Sequence, residues 1–530
     1  MPVAVHWFRK ALRLHDNPAL AKAVAACSAP NSSLLPVYTL DPHFVKNSHI
    51  GTNRWLFFLE SLQDVDRSLS ESGSKLLVLR GEPMTLFSTL FDTLIANGET
   101  VSLYFEADTS PYARNRDAAM LELCASKNIA VHTFNSHTLF NPSDVIKVNG
   151  GITPIVYQSF LKVITEKMPA IQPATPTLTQ VPPLSDEMKA LLTYTETFGF
   201  DAFQVPSMED IGKAVPGENL VSTHKGGERE ALKRLEEYMK QKDLVCKFQK
   251  PETNPAAFQP ASTTILSPYL KMGSLSARTF YHELMKVYRA SKIGYTKPPV
   301  SLLGQLYWRE FYYTAGYGTP NFDKMLGNPI CKQIPWRTDE QSNVDLEKWA
   351  TGQTGFPWID AIMIQLKQEG WIHHLARHSV ACFLTRGDLY ISWERGAKVF
   401  EKLLIDADWS LNTGNWLWLS ASAFFHQYFR VYGPVSFPKK YAPESVKYVR
   451  KYIPALKNFP EKYLFEPWKC PIADQKKAGC IIGKDYPKPM CDHDAVSKVN
   501  IGKMKVAYDE GKVASPPKAP KGKKRPLDED

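Results

Sequence analysis

Two histidines in the segment 370–378 are suited to exchanging protons near neutral pH, because imidazole is the side chain that titrates there. In a helix, His374 and His378 are four residues apart and share a face, and Arg377, the residue before His378, lies beside that face. A zinc protease would need the pattern H-E-x-x-H, and no glutamate lies between these histidines. The segment therefore predicts a proton-transfer pair. The alternative is a structural pair bonded to backbone or water.

Three hydroxyl side chains stand at the start of the segment 262–270, just before a predicted helix. Ser262, Thr263 and Thr264, together with neighbouring backbone N–H groups, predict a cradle for phosphate oxygens. The alternative is an ordinary Ser/Thr cap with Pro268 at the first helical position.

Two carboxylates, Asp406 and Asp408, lie within the apolar and aromatic segment 404–416. Their burial is unfavourable unless they are paired or hydrogen bonded, and Arg377 is the predicted partner of one of them. Such a pair would also suit a retaining glycosidase, which needs a sugar cleft that the sequence does not indicate. A structural ion pair combined with an Asx turn is the third interpretation.

Ten of the twelve tryptophans lie beyond residue 300. They are Trp308, Trp336, Trp349, Trp358, Trp371, Trp393, Trp409, Trp416, Trp418 and Trp468. The core of a large helical domain explains such a set, and so does a planar ligand or electron transfer inside that domain.

The elements that must position these side chains change along the chain. In the first third, five strand-like runs alternate with amphipathic stretches, which predicts a doubly wound parallel sheet. No G-x-G-x-x-G and no P-loop follows any run, which disfavours a tight dinucleotide or nucleoside triphosphate site there. The runs are 4–8, 34–40, 75–79, 101–105 and 129–134.

Helical periodicity dominates the second half of the chain. A stretch rich in Pro and Thr precedes it and predicts a long, largely irregular connection, and the C-terminal end has no apolar period and predicts a disordered tail. The predicted units are an α/β domain (1–135), a linker (136–225), an all-helical domain (226–505) and a basic tail (506–530).

Length, charge and cysteine content limit the class of protein. A chain of 530 residues with 29 glycines and 39 prolines is not collagenous, and no apolar run approaches the ~20 residues of a membrane span. The eight cysteines form no C-x-x-C pair, which predicts a reducing compartment and no metal site. The net charge of +10 arises beyond residue 225, where 46 Lys/Arg stand against 32 Asp/Glu. That surplus favours a polyanionic partner, or simply solubility.

The three segments and the opening stretch 6–20 (HWFRKALRLHDNPAL) resemble, in this order, the photolyase/cryptochrome family. The resemblance extends from residue 3 to about 505 and is greatest to the (6-4) photolyases and animal-type cryptochromes. It implies an N-terminal α/β antenna domain, a long linker and a C-terminal all-helical domain that binds FAD. This architecture agrees with the units predicted from hydrophobic periodicity.

The resemblance implies which residues contact FAD. Four residues of the hydroxyl segment, Thr263, Thr264, Leu266 and Ser267, would hold its phosphates, with Phe248 and Lys250 nearby. Arg377 and Asp406 would pair beside the isoalloxazine ring. Asp408 would contact the flavin and ribose region, while Asn412 would face the central flavin nitrogen and support a stable fully reduced flavin. The implied set is Phe248, Lys250, Thr263, Thr264, Leu266, Ser267, Arg377, Asp406, Asp408 and Asn412.

The resemblance also implies an electron chain from the surface to photoexcited FAD through Trp416, Trp393 and Trp336. Tyr390 stands where many relatives have a fourth tryptophan, which implies a terminal tyrosyl donor. Taken alone, these four residues predict only core aromatics.

The substrate is implied by Gln305, His374 and His378, which match the (6-4) photolyases, whereas pyrimidine-dimer photolyases have Glu, Asn and Met there. The implied activity is light-driven repair of (6-4) pyrimidine-pyrimidone photoproducts in UV-damaged DNA, with the lesion flipped out of the duplex. His374, as imidazolium, would protonate the lesion as general acid while His378 tunes or orients it. Gln305 would hydrogen bond the lesion edge, and Trp308 would form an apolar wall.

An animal-type cryptochrome, acting as a blue-light receptor or as a transcriptional or clock regulator, is the alternative, and so is a protein with both roles. Only about 25 residues follow the predicted folded region, whereas cryptochromes usually carry long C-terminal extensions, so repair is favoured. We expect a monomer, with protein partners in the regulatory roles.

Family members carry an antenna chromophore in the N-terminal domain, a deazaflavin or a folate, or none. Arg54 and Asp108 fall where deazaflavin binders have contacts. The basic stretch 521–526 (KGKKRP) predicts a nuclear localisation signal, the alternative being a solvated basic tail. We therefore expect a nuclear protein.

Overall fold

The computed structural model describes residues 1–28, 32–47, 49–192, 202–213, 224–257 and 261–513. An α/β domain precedes a larger helical domain. Within the described ranges, every helix is too short or too polar to cross a bilayer.

Five parallel strands form one sheet in the order β3-β2-β1-β4-β5. The chain winds outward from β1 in both directions, which confirms the predicted doubly wound α/β domain. Apolar side chains of β1 pack into the cores on both faces of the sheet, as its continuous apolar run predicts. The strands are β1 (Pro2–Phe8), β2 (Ser33–Leu40), β3 (Leu77–Arg80), β4 (Thr100–Glu106) and β5 (Ala130–Phe134).

Helices cover both faces of this sheet. Four of them have proline in the first turn, where its missing N–H leaves no helical hydrogen bond unmade. The helices are α1 (Pro18–Ala26), α2 (Pro42–Val45), α3 (Thr52–Ser70), α4 (Pro83–Ala96) and α5 (Pro111–Ser126).

The predicted irregular linker contains three helices, so the prediction of a largely irregular 136–225 is wrong in these places. The helix Tyr157–Glu166 buries an aromatic and aliphatic face in the core of the helical domain. This burial stabilises a helix that is too short to persist alone. The helices are α6 (Pro142–Val148), α7 (Tyr157–Glu166) and α8 (Asp186–Leu192).

The helical domain consists of short and medium helices around two apolar cores. They are α9 (Glu228–Lys240), α10 (Lys242–Lys247), α11 (Ser267–Met272), α12 (Ala277–Ala290), α13 (Leu302–Gly318), α14 (Glu340–Thr351), α15 (Pro357–Glu369), α16 (His374–Cys382), α17 (Trp393–Leu403), α18 (Trp409–Leu419), α19 (Ser436–Tyr441), α20 (Ser445–Tyr452), α21 (Ile472–Ala478) and α22 (His493–Val513). A π-helical turn, Phe383–Gly387, follows α16. The predicted all-helical domain is confirmed.

Helix α22 runs to Val513, so the first residues of the predicted tail, which begins at 506, belong to this helix and are not disordered. Its side chains Met504, Ala507 and Tyr508 pack into the helical core. The stretch 521–526 lies outside the described residues.

The two domains interlock through the loop between β1 and α1. The buried Arg13 donates to Gly273 O at 2.8 Å, and a Cβ on Gly273 would lie 2.2 Å from the backbone nitrogen of Ala11. Asp16 accepts from Arg278 Nη2 at 2.5 Å. This loop of the α/β domain is therefore held against the junction between α11 and α12 of the helical domain.

Candidate functional site

A cavity of about 610 Å³ lies inside the helical domain, and we call it the central cavity. Its wall is formed by α11, α13, α16 and α18 together with the segments before α11 and α18. The three segments singled out in the sequence therefore meet in space. The predicted site residues that line it are Phe248, Lys250, Thr263, Thr264, Leu266, Ser267, Gln305, Trp308, His374, Arg377, His378, Asp406, Asn412 and Trp416.

The ion pair between Arg377 and Asp406 is bidentate. Arg377 Nη1 and Nη2 donate to the two carboxylate oxygens at 3.2 and 2.8 Å, and Nε donates to Ile372 O at 3.0 Å. Ser267 Oγ donates to Asp406 at 2.6 Å. Both charges are thus satisfied at the cavity wall, which confirms the predicted partner of Asp406.

The hydroxyl segment before α11 forms a concave turn. Ile265 has a positive φ of 51°, which turns the chain so that 263–267 line the cavity. Thr264 Oγ1 accepts the N–H of Leu266 at 3.3 Å, whereas the buried Thr263 Oγ1 has no hydrogen-bond partner among the described residues. A buried hydroxyl without a partner beside a cavity indicates a ligand that bonds to it.

Helix α16 carries His374, Arg377 and His378, and its start is fixed by local chemistry. Gly370 ends the preceding helix with a φ of 72°, and a Cβ there would lie 2.9 Å from Ile405 Cγ2. His373 then caps α16, because its Nδ1 accepts the N–H of Leu375 at 3.1 Å. A glycine and a capping imidazole therefore set the rotation of the helix.

His374 Nε2 lies 3.0 Å from Lys250 O and 3.3 Å from Thr253 Oγ1. Because a carbonyl oxygen only accepts, Nε2 carries the proton and Nδ1 is the free acceptor of the neutral ring. Burial, followed by the nearby His373, Lys250 and His378, holds the pKa of His374 well below its usual value. The resting side chain is a neutral imidazole, and the imidazolium expected with the lesion bound stays a prediction.

His378 lies one turn further along α16, with its ring centroid 6.2 Å from that of His374. Its Nδ1 lies 3.2 Å from the hydroxyl of Tyr432, and its ring packs 5.3 Å from that of Trp418. Burial, followed by Lys250 and His373, also holds the pKa of His378 well below its usual value. No local sequence pattern indicates Tyr432, which lies 54 residues from His378 and reaches the cavity from an irregular segment.

Gln305 and Trp308 project from the first turns of α13 into the central cavity. Gln305 Nε2 donates to Pro299 O at 3.1 Å and to Ser301 O at 3.4 Å, which fixes the amide orientation. Trp308 stacks on Tyr157 of α7 with ring centroids 3.9 Å apart. The apolar wall predicted for Trp308 therefore depends on the linker helix behind it.

Phe248, Lys250 and Asn412 complete the wall. Phe248 is buried and packs in the core beneath the cavity. Burial, followed by Arg377, lowers the pKa of Lys250 to about 8, so its amine is easily neutralised until an anion pairs with it. Asn412 Nδ2 donates to Ala397 O at 3.0 Å.

Asp408 does not line the central cavity, contrary to the predicted contact with the flavin and ribose region. Its Oδ1 caps α18 by accepting the N–H groups of Ser410 and Leu411, at 3.0 and 3.1 Å. Its Oδ2 accepts from Tyr313 at 2.7 Å and lies 3.6 Å from Lys10 Nζ. Capping turns the side chain away from the cavity, as the Asx interpretation predicts.

The aromatic side chains of the implied electron chain are all buried. Trp416 lines the central cavity and packs so closely on Gly396 of α17 that a Cβ there would lie 2.3 Å from the indole. Trp393 begins the same helix, and Trp336 meets Tyr390 with ring centroids 5.0 Å apart. The hydroxyl of Tyr390 has no hydrogen-bond partner among the described residues, and burial raises its pKa to about 12.

Arg54 and Asp108 line a second cavity of about 770 Å³ between the two domains, which we call the interdomain cavity. Arg54 donates to His49 O at 3.1 Å and to Ala407 O at 3.4 Å. Asp108 pairs with Lys10 at 3.1 Å, and although burial opposes it, Lys10 keeps the pKa of Asp108 low. Both residues are bonded to protein groups at the wall.

Comparisons with known proteins agree with this geometry. Residues 4–180 match the family DNA photolyase, and residues 302–506 match the FAD binding domain of DNA photolyase. A (6-4)DNA photolyase of Oryza sativa subsp. japonica is 47% identical over 514 residues, covering 95% of this chain and 90% of that protein. Cryptochrome-2 of Gallus gallus is 47% identical over 508 residues, covering 96% and 84%.

The solved structures repeat the fold at lower identity. A cryptochrome of Synechocystis sp. PCC6803 superimposes with a TM-score of 0.81 at 26% identity, covering 95% of this chain and 99% of that one. A bacterial class III photolyase from Agrobacterium tumefaciens gives 0.75 at 27% identity, covering 96% and 98%.

The residues of the central cavity fit FAD. Thr263 supplies a buried donor without a partner, Ser267 lies at the N-terminus of α11, and Lys250 is a cation at the same wall. These groups suit a pyrophosphate, while Trp416, Phe400 and Leu404 supply apolar surface for a planar ring.

Proposed function

The chain belongs to the photolyase/cryptochrome family, and FAD is its cofactor; from this premise we propose that it repairs (6-4) pyrimidine-pyrimidone photoproducts in UV-damaged DNA. The observation that carries the proposal is the shared wall of the central cavity. His374, His378, Gln305 and Trp308 line the same space as the Arg377–Asp406 pair and the phosphate cradle.

Bound FAD supplies an electron donor that absorbs light. The residues that would hold it are the cradle at 263–267, Lys250 and the Arg377–Asp406 pair, which all line the central cavity. Because this pair is bidentate and also bonded to Ser267 and Ile372, it offers a fixed polar edge beside the ring.

His374 is the proton donor of the proposed reaction. The free Nδ1 of its neutral ring must first take up a proton, and a lesion anion or a DNA phosphate entering the cavity favours that charge. Once charged, the ring gives this proton to the lesion, while the bond from Nε2 to Lys250 O keeps its plane fixed. The repaired bases are an isomer of the lesion, so the electron and the proton that the lesion receives are both returned.

Gln305 and Trp308 orient the flipped lesion in this proposal. The amide nitrogen of Gln305 is committed to two backbone carbonyls, which leaves its Oε1 to accept from a base edge. Trp308 offers a flat apolar surface made rigid by Tyr157. A damaged pair stacks poorly, so flipping it costs only a few kcal/mol.

The cationic surplus beyond residue 225 supports a DNA partner. Each phosphate that a lysine or arginine neutralises steepens the fall of affinity with salt, with a slope of roughly −0.9 per contact. We expect affinity for lesion-containing DNA to fall steeply with salt. An affinity unchanged by salt would contradict a DNA partner.

The test is direct. Protein with chemically reduced FAD is illuminated with blue light in the presence of an oligonucleotide that carries one (6-4) lesion, and the restored thymines are counted by HPLC. A dark sample and the His374→Ala variant are the controls. The absence of restored thymines in the illuminated sample would end the proposal.

An animal-type cryptochrome is the second candidate, because cryptochromes and (6-4) photolyases match this chain at the same 47% identity. A blue-light receptor or transcriptional regulator would use the same flavin cavity without turnover. Illumination that reduces FAD and restores no bases, together with light-dependent capture of a regulatory protein, would favour this function over repair. Repair combined with such capture would indicate both roles.

The same proposal includes a nuclear location and a monomeric enzyme. The basic stretch 521–526 supports import into the nucleus. A fluorescent fusion with Lys523 and Lys524 replaced by alanine should leave the nucleus, and sedimentation should give the mass of a single chain.

A further inference from the structure

Arg386 is a buried cation next to the central cavity that the proposed function does not use. It lies in the π-helical turn Phe383–Gly387, directly after the helix that carries His374 and His378. Its relative exposure is 0%, which is unusual for an arginine. No carboxylate of the described residues lies within 4.0 Å of its guanidinium.

Backbone carbonyls take the place of the missing carboxylate. Arg386 Nε donates to Leu419 O at 3.0 Å, at the end of α18. Its Nη1 donates to Tyr428 O at 2.9 Å and to Arg430 O at 2.5 Å. The guanidinium also lies 5.6 Å from the ring of Phe425. The Arg386 side chain thus connects the turn after α16 with the end of α18 and with the irregular chain that follows α18.

That stretch, residues 420–433, has no helix or strand. We call its last part, residues 428–432, the Tyr432 segment. Tyr432 lines the central cavity and its hydroxyl lies 3.2 Å from His378 Nδ1. Arg430 N donates to Gln427 O at 3.0 Å, which makes a turn just before the tyrosine.

Burying a guanidinium without a counter-ion is unfavourable unless its donors are satisfied. In Arg386 the Nε and Nη1 groups are satisfied, whereas the buried Nη2 has no hydrogen-bond partner among the described residues. Lysine could supply the charge, but its single nitrogen cannot reach three carbonyls that lie on two sides of a planar fork. The geometry requires arginine at this position because the fork sets the spacing between Leu419 O and the two segment carbonyls.

We propose that Arg386 is a positioning residue, which fixes the backbone of the Tyr432 segment so that Tyr432 holds His378 in register with the lesion. The alignment of His378 with the lesion rests on the proposed function, whereas the fixing of the Tyr432 segment by Arg386 does not. Arg386 does not line the central cavity, so its hydrogen bonds act on His378 through Tyr432, while its charge also helps to lower the pKa of His378. Arg386→Lys keeps the charge and therefore tests the hydrogen bonds alone.

The first measurement follows amide hydrogen exchange in the full-length FAD-loaded protein. In Arg386→Lys, and in Arg386→Met, exchange in residues 426–433 should rise on the order of tenfold, because hydrogen bonds to a charged donor are lost. Exchange in α13 and FAD content should stay unchanged. Arg450→Lys is the matched control, since Arg450 also donates to a carbonyl, Phe459 O at 3.2 Å, outside the cavity wall. Unchanged exchange in both Arg386 variants would overturn the proposal.

The second measurement compares variants in repair. Arg386→Lys should lower the repair yield per absorbed photon at saturating lesion DNA roughly as much as Tyr432→Phe does, and the double variant should show no further loss. If the two fold-losses in repair yield multiply in the double variant, the proposal that Arg386 acts through Tyr432 is overturned. If the wild type restores no bases but exchange in 426–433 rises as expected, the segment claim stands and the proposed repair function fails.

Discussion

Asp406 and Asp408 are separated by one residue, yet they face different cavities. Asp406 pairs with Arg377 at the central cavity, and Asp408 caps α18 and meets Tyr313 and Lys10 at the interdomain cavity. Ala407 and Lys271 line both spaces, so the wall between them is thin.

The two cavities treat titratable groups in opposite ways. Burial, together with the nearby Lys250, keeps the imidazoles of His374 and His378 in the central cavity neutral, and the adjacent His373 is kept neutral by burial, Arg377 and Lys250. In the interdomain cavity charges are paired at short range, as between Lys10 and Asp108. The first arrangement leaves capacity to take up a proton when a charged ligand arrives, whereas Lys10 and Asp108 each stabilise the charged form of the other. Proton uptake is therefore expected at His374 and His378 rather than at the Lys10–Asp108 pair.

The largest effect should come from removing the proton donor. His374→Ala should lower repair by at least about a hundredfold, because general acid catalysis contributes roughly that much or more. FAD content should be unchanged, since the ring bonds to Lys250 and Thr253. Repair is measured by HPLC, with His49→Gln, at an exposed site, as control. Repair above a tenth of wild type would remove His374 from this role.

The next effect separates the two aspartates. Asp406→Asn should weaken FAD binding strongly, because it leaves the half-buried Arg377 guanidinium without its counter-ion at the wall that receives the cofactor. Asp408→Asn should keep FAD and lower Tm, since asparagine still caps α18 but its amide nitrogen can neither accept from Tyr313 nor pair with Lys10. The flavin absorbance retained after gel filtration, together with the melting curve, tests the pair. Equal loss of FAD in both variants would erase the distinction between the cavities.

A smaller effect concerns the route of electrons to the central cavity. Trp393→Phe should slow photoreduction of FAD on the order of tenfold or more, while repair with chemically reduced FAD stays normal. Trp358→Phe is the control, because Trp358 is equally buried but packs beside Phe437 and Tyr448. Flavin absorbance during illumination measures the rate, and identical rates in both variants would exclude Trp393 from the chain.

The smallest effect is the dependence of stability on pH. His374 and His378 of the central cavity, and His373 beside them, bind protons more readily when the chain unfolds, because their folded pKa values lie below 6.5. Stability should therefore fall as the pH drops below about 6.5, by up to ~1.4 kcal/mol per pH unit for each group. His378→Gln should reduce the fall of Tm between pH 7 and pH 5. Asp108→Asn should leave that slope unchanged, because its folded pKa lies below the window.

The sequence was sufficient for the parts of the fold and site that depend on local pattern. Alternating apolar runs predicted the strands and the doubly wound sheet, and the hydroxyl, histidine and carboxylate segments all reach the central cavity apart from Asp408. Each of these depends on residue types within a few positions of one another, which is the range over which periodicity and capping act.

What the sequence could not provide depends on contacts between distant residues. The neutral state of His374 is set by burial and by Lys250, 124 residues earlier. Tyr432 reaches His378 through a backbone path held by Arg386, which no local pattern indicates. The linker helix α7 is hidden by a composition rich in Pro and Thr and is stabilised by packing on Trp308 and Phe311.

The interlock between the domains limits how this protein can be recombined with its relatives. Arg13 and Asp16 belong to the α/β domain by sequence, but their partners Gly273 and Arg278 lie in the helical domain. Tyr157 likewise lies before residue 226 and supports Trp308 after it. A chimera joined at residue 225 would therefore pair foreign surfaces at both places. A chimera that keeps its function must take the β1–α1 loop and α7 from the same parent protein as the helices that they contact.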